Sequence, residues 1–251
     1  MEHFVSEEMR QLIEKYRERK NENLMKLTYE FAKEAFHPEP GREDKLYRLE
    51  HSLRVALWGK KIAEGEGWDP ESLVIACLLH DIGYVESWKN DNYGAHHHYS
   101  RFIAEEYLKA LGYDSEEVKK ISVAIVLHAA NSPTENPELF KNASPFELSV
   151  WDADDLDRYD EMRMIMNARR DIGELTAVDL KKVAENRLSL AVSSKNRICG
   201  TETARKYWLE EMAEGRRLYE RLIAQMNHTW EMEQWLGEYN LNWVIQMQLL
   251  I

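Results

Sequence analysis

Residues 71–84 read "ESLVIACLLHDIGY", in which a run of apolar side chains ends on the adjacent pair His80 and Asp81. The aspartate and proline before this run are an N-cap and a first-turn residue, so the stretch predicts a helix that ends near Gly83. His80 and Asp81 then lie in its last turn. Burying a polar group without a hydrogen-bond partner costs roughly 2–7 kcal/mol, so the pair indicates a compensating partner inside the core.

The composition is that of a globular protein with an acidic surface. The chain has 251 residues, 44% of them apolar, and its 33 basic against 45 acidic residues give a formal net charge of -12. Such a chain has no broad cationic face to follow a nucleic-acid backbone. We therefore exclude long nucleic acids as partners.

Cysteine usage and the N-terminus bear on the compartment. Cys77 and Cys199 lie far apart in the sequence, which argues against a disulfide framework and favours a reducing environment. The first residues, "MEHFVSEEMRQ", lack an apolar signal core, and no segment has the roughly 18 uninterrupted apolar residues of a membrane span. We expect a cytoplasmic protein that does not contact membranes.

Apolar residues recur at helical spacing along nearly the whole chain, and alternating strand patterns of useful length do not occur, so we predict an all-α fold. Residues 6–36 form one long helix or two, with Ser6 as the N-cap. A helix from about Asp44 to Glu64 places His51 on its apolar, inward face. Further helices are predicted near 97–111, 114–128 (capped by Asp114 or Ser115), 146–166, 176–196, 201–227 and 229–250.

Histidines and aspartates recur on or beside the apolar faces of these predicted helices. In chain order they are His51, His80, Asp81, His96, His128 and Asp154. Imidazole and carboxylate ligands suit Mn, Fe, Zn, Co or Ni, and a site without cysteine is unlike a purely structural zinc site. A cation would neutralise Asp81 and occupy the imidazole lone pair of His80, which explains their place in a core segment. We expect one or two divalent metals and no organic cofactor.

The order H…HD…D resembles the HD superfamily of metal-dependent phosphohydrolases over about 105 residues. "EHSLRVALWGKKIA" is similar to the helix of the first histidine, "VIACLLHDIG" to the family signature, and "ELSVWDADDLDR" to the closing segment. The resemblance implies an HD-domain helical bundle whose first metal is held by His51, His80, Asp81 and Asp154. Asp154 fits the family's alanine-aspartate pattern, which has leucine two places on, and Asp152 is its alternate.

Two more histidines resemble the ligands of the binuclear members of this superfamily. "HHHYSRFIAEEYL" and "ISVAIVLHAA" are similar to the family segments that carry them. The spacing to a small residue selects His96, with His97 and His98 as alternates, and His128 is the other ligand. With all six ligands bound, the resemblance implies that Asp81 bridges two metals and is the central catalytic residue.

The activity implied is metal-assisted hydrolysis (EC 3.1 type) of a phosphoester or phosphoanhydride in a small metabolite, with a nucleotide as the favoured substrate. Three arginines are candidates for binding phosphate because they lie close in sequence to the candidate ligands: Arg54, Arg101 and Arg158. Two alternatives stay open. They are an HD-fold di-iron oxygenase, which uses the same ligand set, and a non-catalytic nucleotide-binding protein that retains a metal.

The chain departs from better-characterised branches after the HD dipeptide. Tyr84 stands where many binuclear members have lysine, and Glu86 follows in place of the acidic pair of stringent-response hydrolases. The general acid of any one branch therefore does not transfer. Glu86 and His97 are the two candidates for that role.

The domain organisation is predicted as an N-terminal helical segment (1–43), a metal-binding core (44–175) and a C-terminal helical extension packed on the core (176–251). The extension contains the apolar residues Trp230, Trp235, Trp243, Val244 and Met247. They predict either core packing or a surface for a homodimer through the C-terminal helices.

Overall fold

The computed structural model describes residues 5–40, 42–129, 137–163, 165–166 and 177–248. These residues form helices joined by turns and no strand, so the prediction of an all-α helical bundle is confirmed. The helices are α1 (Glu7–Arg17), α2 (Leu24–Ala35), α3 (Glu43–Gly65), α4 (Glu71–Leu79), α5 (Tyr84–Lys89), α6 (His96–Ala110), α7 (Ser115–Leu127), α8 (Pro137–Phe140), α9 (Pro145–Tyr159), α10 (Ala177–Ser193) and α11 (Glu202–Gln248). Among them, none is long and apolar enough to cross a membrane.

The chain divides into two compact units. The first comprises Met1–Arg158 and Ile198–Trp208, and the second comprises Tyr159–Arg197 and Leu209–Ile251. Helix α11 therefore begins in the first unit and continues in the second. The domain boundaries expected after residues 43 and 175 stay a prediction.

Helix α4 is the centre of the first unit. Its side chains from Leu73 to Leu79 are nearly all buried, and the helix packs against α2, α3 and α7. A helix that is apolar on all sides needs neighbours around its whole circumference, and these three supply them. Cys77 is part of this core and is fully buried.

Side-chain capping explains where α1, α2 and α7 begin. The Ser6 hydroxyl accepts a hydrogen bond from the backbone N–H of Met9, as expected of an N-cap. Asn23 caps α2 in the same way, so the segment predicted as one helix or two is two helices. The carboxylate of Asp114, one of the two predicted caps, accepts from two backbone N–H groups at the start of α7.

Three predicted boundaries are wrong. Helix α9 ends at Tyr159 rather than near residue 166. Helix α4 ends at Leu79 rather than near Gly83, because the chain enters successive tight turns, with Ile82 N–H bonded to Leu79 O and Tyr84 N–H to Asp81 O. His80 is thus the C-cap, and α5 begins shortly after it, at Tyr84. The break predicted at residue 228 does not occur, because α11 contains no proline and continues through it.

The second unit has a small core of its own between α10 and α11. Ala184, Tyr219 and Met226 are its buried members. Further along α11, Trp230 is 37% exposed and Trp235 53% exposed, and the Lys181 ammonium lies 4.2 Å from the centre of the Trp230 ring. The side chains of Trp243, Val244 and Met247 lie outside the described residues, and the homodimer surface stays a prediction.

Gly83 marks the closest approach between the turn after α4 and helix α6. A Cβ atom at this position would lie 2.2 Å from His96 O and 2.2 Å from Ser100 N. The Gly83 N–H also donates to the Ser100 hydroxyl at 2.8 Å. Only a residue without a side chain fits here, which ties the HD turn to the helix that begins with His96.

We expect Gly83→Ala to lower the free energy of unfolding by about 3 kcal/mol, because backbone atoms of α6 cannot move away from the added methyl group. Urea denaturation followed by circular dichroism measures this change. Gly94→Ala is the matched control, since nothing lies within 4 Å of a Cβ there, and it should change stability by less than about 0.5 kcal/mol. Equal effects of the two substitutions would contradict the close approach.

Candidate metal centre

The first cluster of candidate ligands surrounds one oxygen of Asp81. His51 comes from α3, His80 caps α4, and Asp154 comes from α9. His51 Nε2 lies 3.5 Å from Asp81 Oδ2 and 3.1 Å from Asp154 Oδ1, and His80 Nε2 lies 3.6 Å from Asp81 Oδ2. The four residues are at most 3% exposed. Three helices thus bring together four side chains that are widely separated in sequence.

A second cluster surrounds the other oxygen of the same carboxylate. His96, the first residue of α6, and His128, the C-cap of α7, each place Nε2 at 3.5 Å from Asp81 Oδ1. His51, His80 and Asp81 form one group with metal-ligand spacing, and Asp81, His96 and His128 form another. Asp81 therefore lies between both groups, with one oxygen facing each.

The outer ring nitrogens of the histidines are all engaged. Nδ1 of His80 donates to Cys77 O at 2.6 Å, Nδ1 of His96 donates to Tyr93 O at 3.0 Å, and Nδ1 of His128 donates to Ile125 O. A carbonyl oxygen only accepts hydrogen bonds, so the proton of each neutral ring lies on Nδ1. The three Nε2 atoms therefore present lone pairs toward Asp81.

The donor set fits bound cations. His51 Nε2 and His80 Nε2 lie 3.3 Å apart, and His96 Nε2 and His128 Nε2 also lie 3.3 Å apart. Without a proton between them, such facing lone pairs beside a buried carboxylate repel one another. A divalent cation at each pair would be bound by both nitrogens and neutralise the carboxylate, so these side chains fit one or two divalent metals.

The electrostatics of the cluster agree with this fit. Burial lowers the pKa of His80 and that of His96 to about 4, so both rings are in the neutral form that binds metals. Burial alone would raise the pKa of Asp81, but the imidazole of His80 and the guanidinium of Arg48 hold it well below its usual range. Burial opposes charge on His51 too, yet hydrogen bonds to Asp154 and Asp157 raise its pKa. The carboxylate of Asp81 thus stays ionised beside neutral imidazoles, and it can balance the charge of a bound cation.

Arg48 was missed by the sequence reasoning. Its Nη1 donates to Asp81 Oδ2 at 2.7 Å, and its guanidinium carbon lies 3.6 Å from the centre of the Tyr84 ring. The Tyr84 ring also stacks on the ring of His96, with centroids 4.3 Å apart and planes at 15°. The available signal was its position three residues before His51, which puts both side chains on one face of α3.

Asp157 was also missed, and it explains the position of Arg54. Asp157 Oδ2 lies 2.7 Å from His51 Nδ1, and Asp157 Oδ1 accepts from Arg54 Nε at 2.5 Å. Arg54, predicted to bind substrate, thus supports the carboxylate that orients His51. Asp157 lies three residues after Asp154 on α9, a spacing that could have identified it.

The other two predicted phosphate-binding arginines have different surroundings. Arg158 Nη2 donates to Asp154 Oδ2 at 3.0 Å, and its side chain is 50% exposed at the edge of the cluster. Arg101 pairs with Glu105 and lines a pocket of about 380 Å³ together with Lys119. None of the six candidate ligands lines that pocket, so Arg101 is not brought to the cluster.

The alternates for ligands and for a general acid lie outside the two groups. Asp152 Oδ2 accepts from the Gly200 N–H at 2.8 Å. His97 and His98 contact each other, with ring centroids 4.1 Å apart. Glu86 is 3% exposed and accepts from the Ser6 hydroxyl at 2.6 Å. The identity of the ligands stays a prediction, and the geometry places Asp154 beside His51 and His96 beside Asp81.

The fold and the clusters define an all-α protein with a buried histidine and aspartate centre. Residues 48–162 match the family model described as HD domain, and this range contains all six candidate ligands. This range is therefore similar to the HD domain, a family whose members are in general metal-dependent phosphohydrolases. No curated protein and no solved structure matches the chain.

We expect two equivalents of transition metal in protein purified without added metal or chelator, as measured by elemental analysis. Asp81→Ala should lose nearly all of it, because both groups share this carboxylate, whereas His128→Ala should retain about one equivalent. His37→Ala removes an exposed histidine and should keep both. Full metal content in Asp81→Ala would overturn the shared role of this residue.

Asp157→Asn tests the support of His51. An amide cannot match the carboxylate as a partner of His51 Nδ1, so we expect metal affinity to fall roughly 10- to 100-fold. Competition with a chromophoric chelator measures the dissociation constant. Asp44→Asn, which removes an exposed carboxylate paired with Arg42, should leave it unchanged. An unchanged affinity in Asp157→Asn would show that His51 does not depend on this contact.

Proposed function

We propose that this protein is a metal-dependent phosphohydrolase that acts on a phosphoester or phosphoanhydride of a small metabolite, with a nucleotide as the favoured class. The observation that carries the proposal is the position of Arg48. Its guanidinium lies directly beside the carboxylate shared by both ligand groups. An anionic group that enters the centre therefore meets a cation at that point.

Arg48 is suited to binding phosphoryl oxygens. The side chain is 21% exposed, and among the described residues its one hydrogen-bond partner is Asp81, which leaves further N–H groups for a ligand. A planar guanidinium can donate two parallel hydrogen bonds to phosphate. Stacking on Tyr84 holds the plane of the guanidinium and keeps it from turning away. Arg158, at the edge of the cluster, can contact a more distant part of the substrate.

His51, His80 and Asp154 would hold one metal and His96 and His128 the other, with Asp81 shared between them. The bound metals would supply an activated water and neutralise charge that develops on the phosphoryl group. Asp81 orients the two histidine pairs toward each other, and its low pKa keeps it ionised and unable to act as an acid. Burial raises the pKa of Tyr84, so this hydroxyl stays protonated near the reacting group.

The net charge of the chain bears on the size of the substrate that we propose. With a net charge of -12, the protein repels extended polyanions, whereas a single phosphorylated metabolite can be held by Arg48 and the metals. The partner we propose is therefore a small phosphorylated molecule rather than a nucleic acid.

The test is phosphate release from a panel of p-nitrophenyl phosphate, bis(p-nitrophenyl) phosphate and nucleoside mono-, di- and cyclic phosphates, with Mn, Fe, Zn, Co or Ni supplied in turn. Arg48→Lys keeps a positive charge but lacks the planar fork, so we expect kcat/KM to fall about tenfold or more with metal content unchanged. Arg10→Lys, at an exposed ion pair, is the control and should match wild type.

Two outcomes would replace the proposal. Oxygen consumption by the iron-loaded protein, with no phosphate released from any member of the panel, would favour a di-iron oxygenase. Tight nucleotide binding without turnover under every metal would favour a non-catalytic binding protein.

A further inference from the structure

A second pocket of about 600 Å³ lies in the first unit and is unrelated to the candidate ligands. Three aromatic and three acidic residues give it its character: Trp68, Tyr113, Phe146, Asp69, Glu71 and Glu117. We call it the Trp68 pocket. Its volume is within the range of about 300–1,000 Å³ that small-molecule sites occupy.

The Trp68 pocket and the metal centre lie at opposite ends of the same helices. Glu71 is in the first turn of α4, Glu117 in the first turn of α7, and Phe146 in the first turn of α9. His80, His128 and Asp154 lie eight to eleven residues further along these helices, which is a separation of about 12–17 Å at 1.5 Å per residue. A ligand in the pocket would therefore not touch the metal centre.

Aromatic side chains form the walls. The Trp68 and Phe146 rings have centroids 6.4 Å apart with planes at 41°, so they make an angled surface rather than a closed stack. The Lys120 ammonium lies 4.3 Å from the centre of the Phe146 ring. A cation is thus already accommodated against one of these rings, as the negative face of an aromatic ring allows.

Four residues that line the pocket are joined by hydrogen bonds. The Ser72 hydroxyl donates to Glu117 Oε2 at 2.8 Å and contacts the Tyr113 hydroxyl at 2.8 Å, and Lys120 donates to Glu117 Oε1 at 2.5 Å. These contacts hold Glu117 in one place, where it joins α4 to α7.

The charge of the pocket favours a positively charged ligand. Asp69, Glu71 and Glu117 contribute carboxylates, and Lys120 is the one basic residue in the lining. Asp69 also accepts from the backbone N–H of Glu71 at 3.0 Å, so it is held at the rim. Lys120 neutralises a single carboxylate, and the lining keeps an excess of negative charge that repels anions.

We propose that the Trp68 pocket binds a small organic ammonium ion, with its apolar body on the Trp68 and Phe146 rings and its ammonium group beside the carboxylates of Glu71 and Glu117. The aromatic surface supplies contact area and cation–π attraction, and the carboxylates supply opposite charge. This site is independent of the metal centre and of the reaction proposed there.

The test compares three ligands of nearly equal shape on the wild-type protein by isothermal titration calorimetry. We expect 2-phenylethylammonium to bind saturably and at least tenfold more tightly than 2-phenylethanol, and 3-phenylpropionate not to bind. Higher salt should weaken the binding of the ammonium ion, because part of its attraction is between exposed charges. Equal affinity for the three ligands, or no saturable binding of the ammonium ion, would overturn the proposal.

Substitutions then locate the site. Glu117→Gln and Trp68→Leu should each weaken 2-phenylethylammonium binding about tenfold or more, with circular dichroism confirming that the variants are folded. Glu116→Gln is the matched control, because it removes the same charge from the adjacent exposed residue, which does not line the pocket. If Glu117→Gln and Trp68→Leu bind 2-phenylethylammonium as tightly as Glu116→Gln does, the ammonium ion binds elsewhere and the assignment is wrong.

Discussion

The carboxylate of Asp81 lies between two pairs of imidazole nitrogens, and the arrangement of the first unit depends on this contact. Each oxygen faces one pair at about 3.5 Å, and the group is buried except for His96, whose side chain is 15% exposed. A buried carboxylate without compensation would destabilise the core strongly. Five helices therefore converge on one buried carboxylate rather than on an apolar centre alone. They are α3, α4, α6, α7 and α9.

The same local device orients three of the four histidines. His80, His96 and His128 each donate from Nδ1 to the carbonyl three residues earlier, at or next to the end of a helix. At the ends of α4 and α7, the carbonyls of Cys77 and Ile125 lack their usual helical partners, so an imidazole can occupy them at little cost. The ring orientation is thus set by backbone close in sequence, while the direction of the helix aims Nε2 at Asp81.

A second layer of charged groups surrounds this centre and completes its electrostatics. Asp157 and Arg54 support His51, and Arg48 lies on Tyr84 against Asp81. Each buried charge is paired, which is the condition under which proteins retain charges in their interior. The two arginines differ in how they are paired, since Arg54 donates two hydrogen bonds to Asp157 and Arg48 donates one to Asp81. At the far ends of α4, α7 and α9, the Trp68 pocket combines aromatic walls with carboxylates and has no part in this network.

Helical spacing, caps and the HD segment in the sequence were enough to predict the all-α fold, the start of α1 at Ser6 and the inward position of His51, because these depend on residues within a few turns of one another. The order of histidines and aspartates also indicated which residues belong to one centre. The end of α4 at Leu79 and the roles of Arg48, Arg54, Arg101 and Asp157 were decided only by tertiary structure. Which arginine meets Asp81, and which is paired with another carboxylate, depends on the packing of α3 against α4 and α9, and spacing along the chain carries no information about distances between helices.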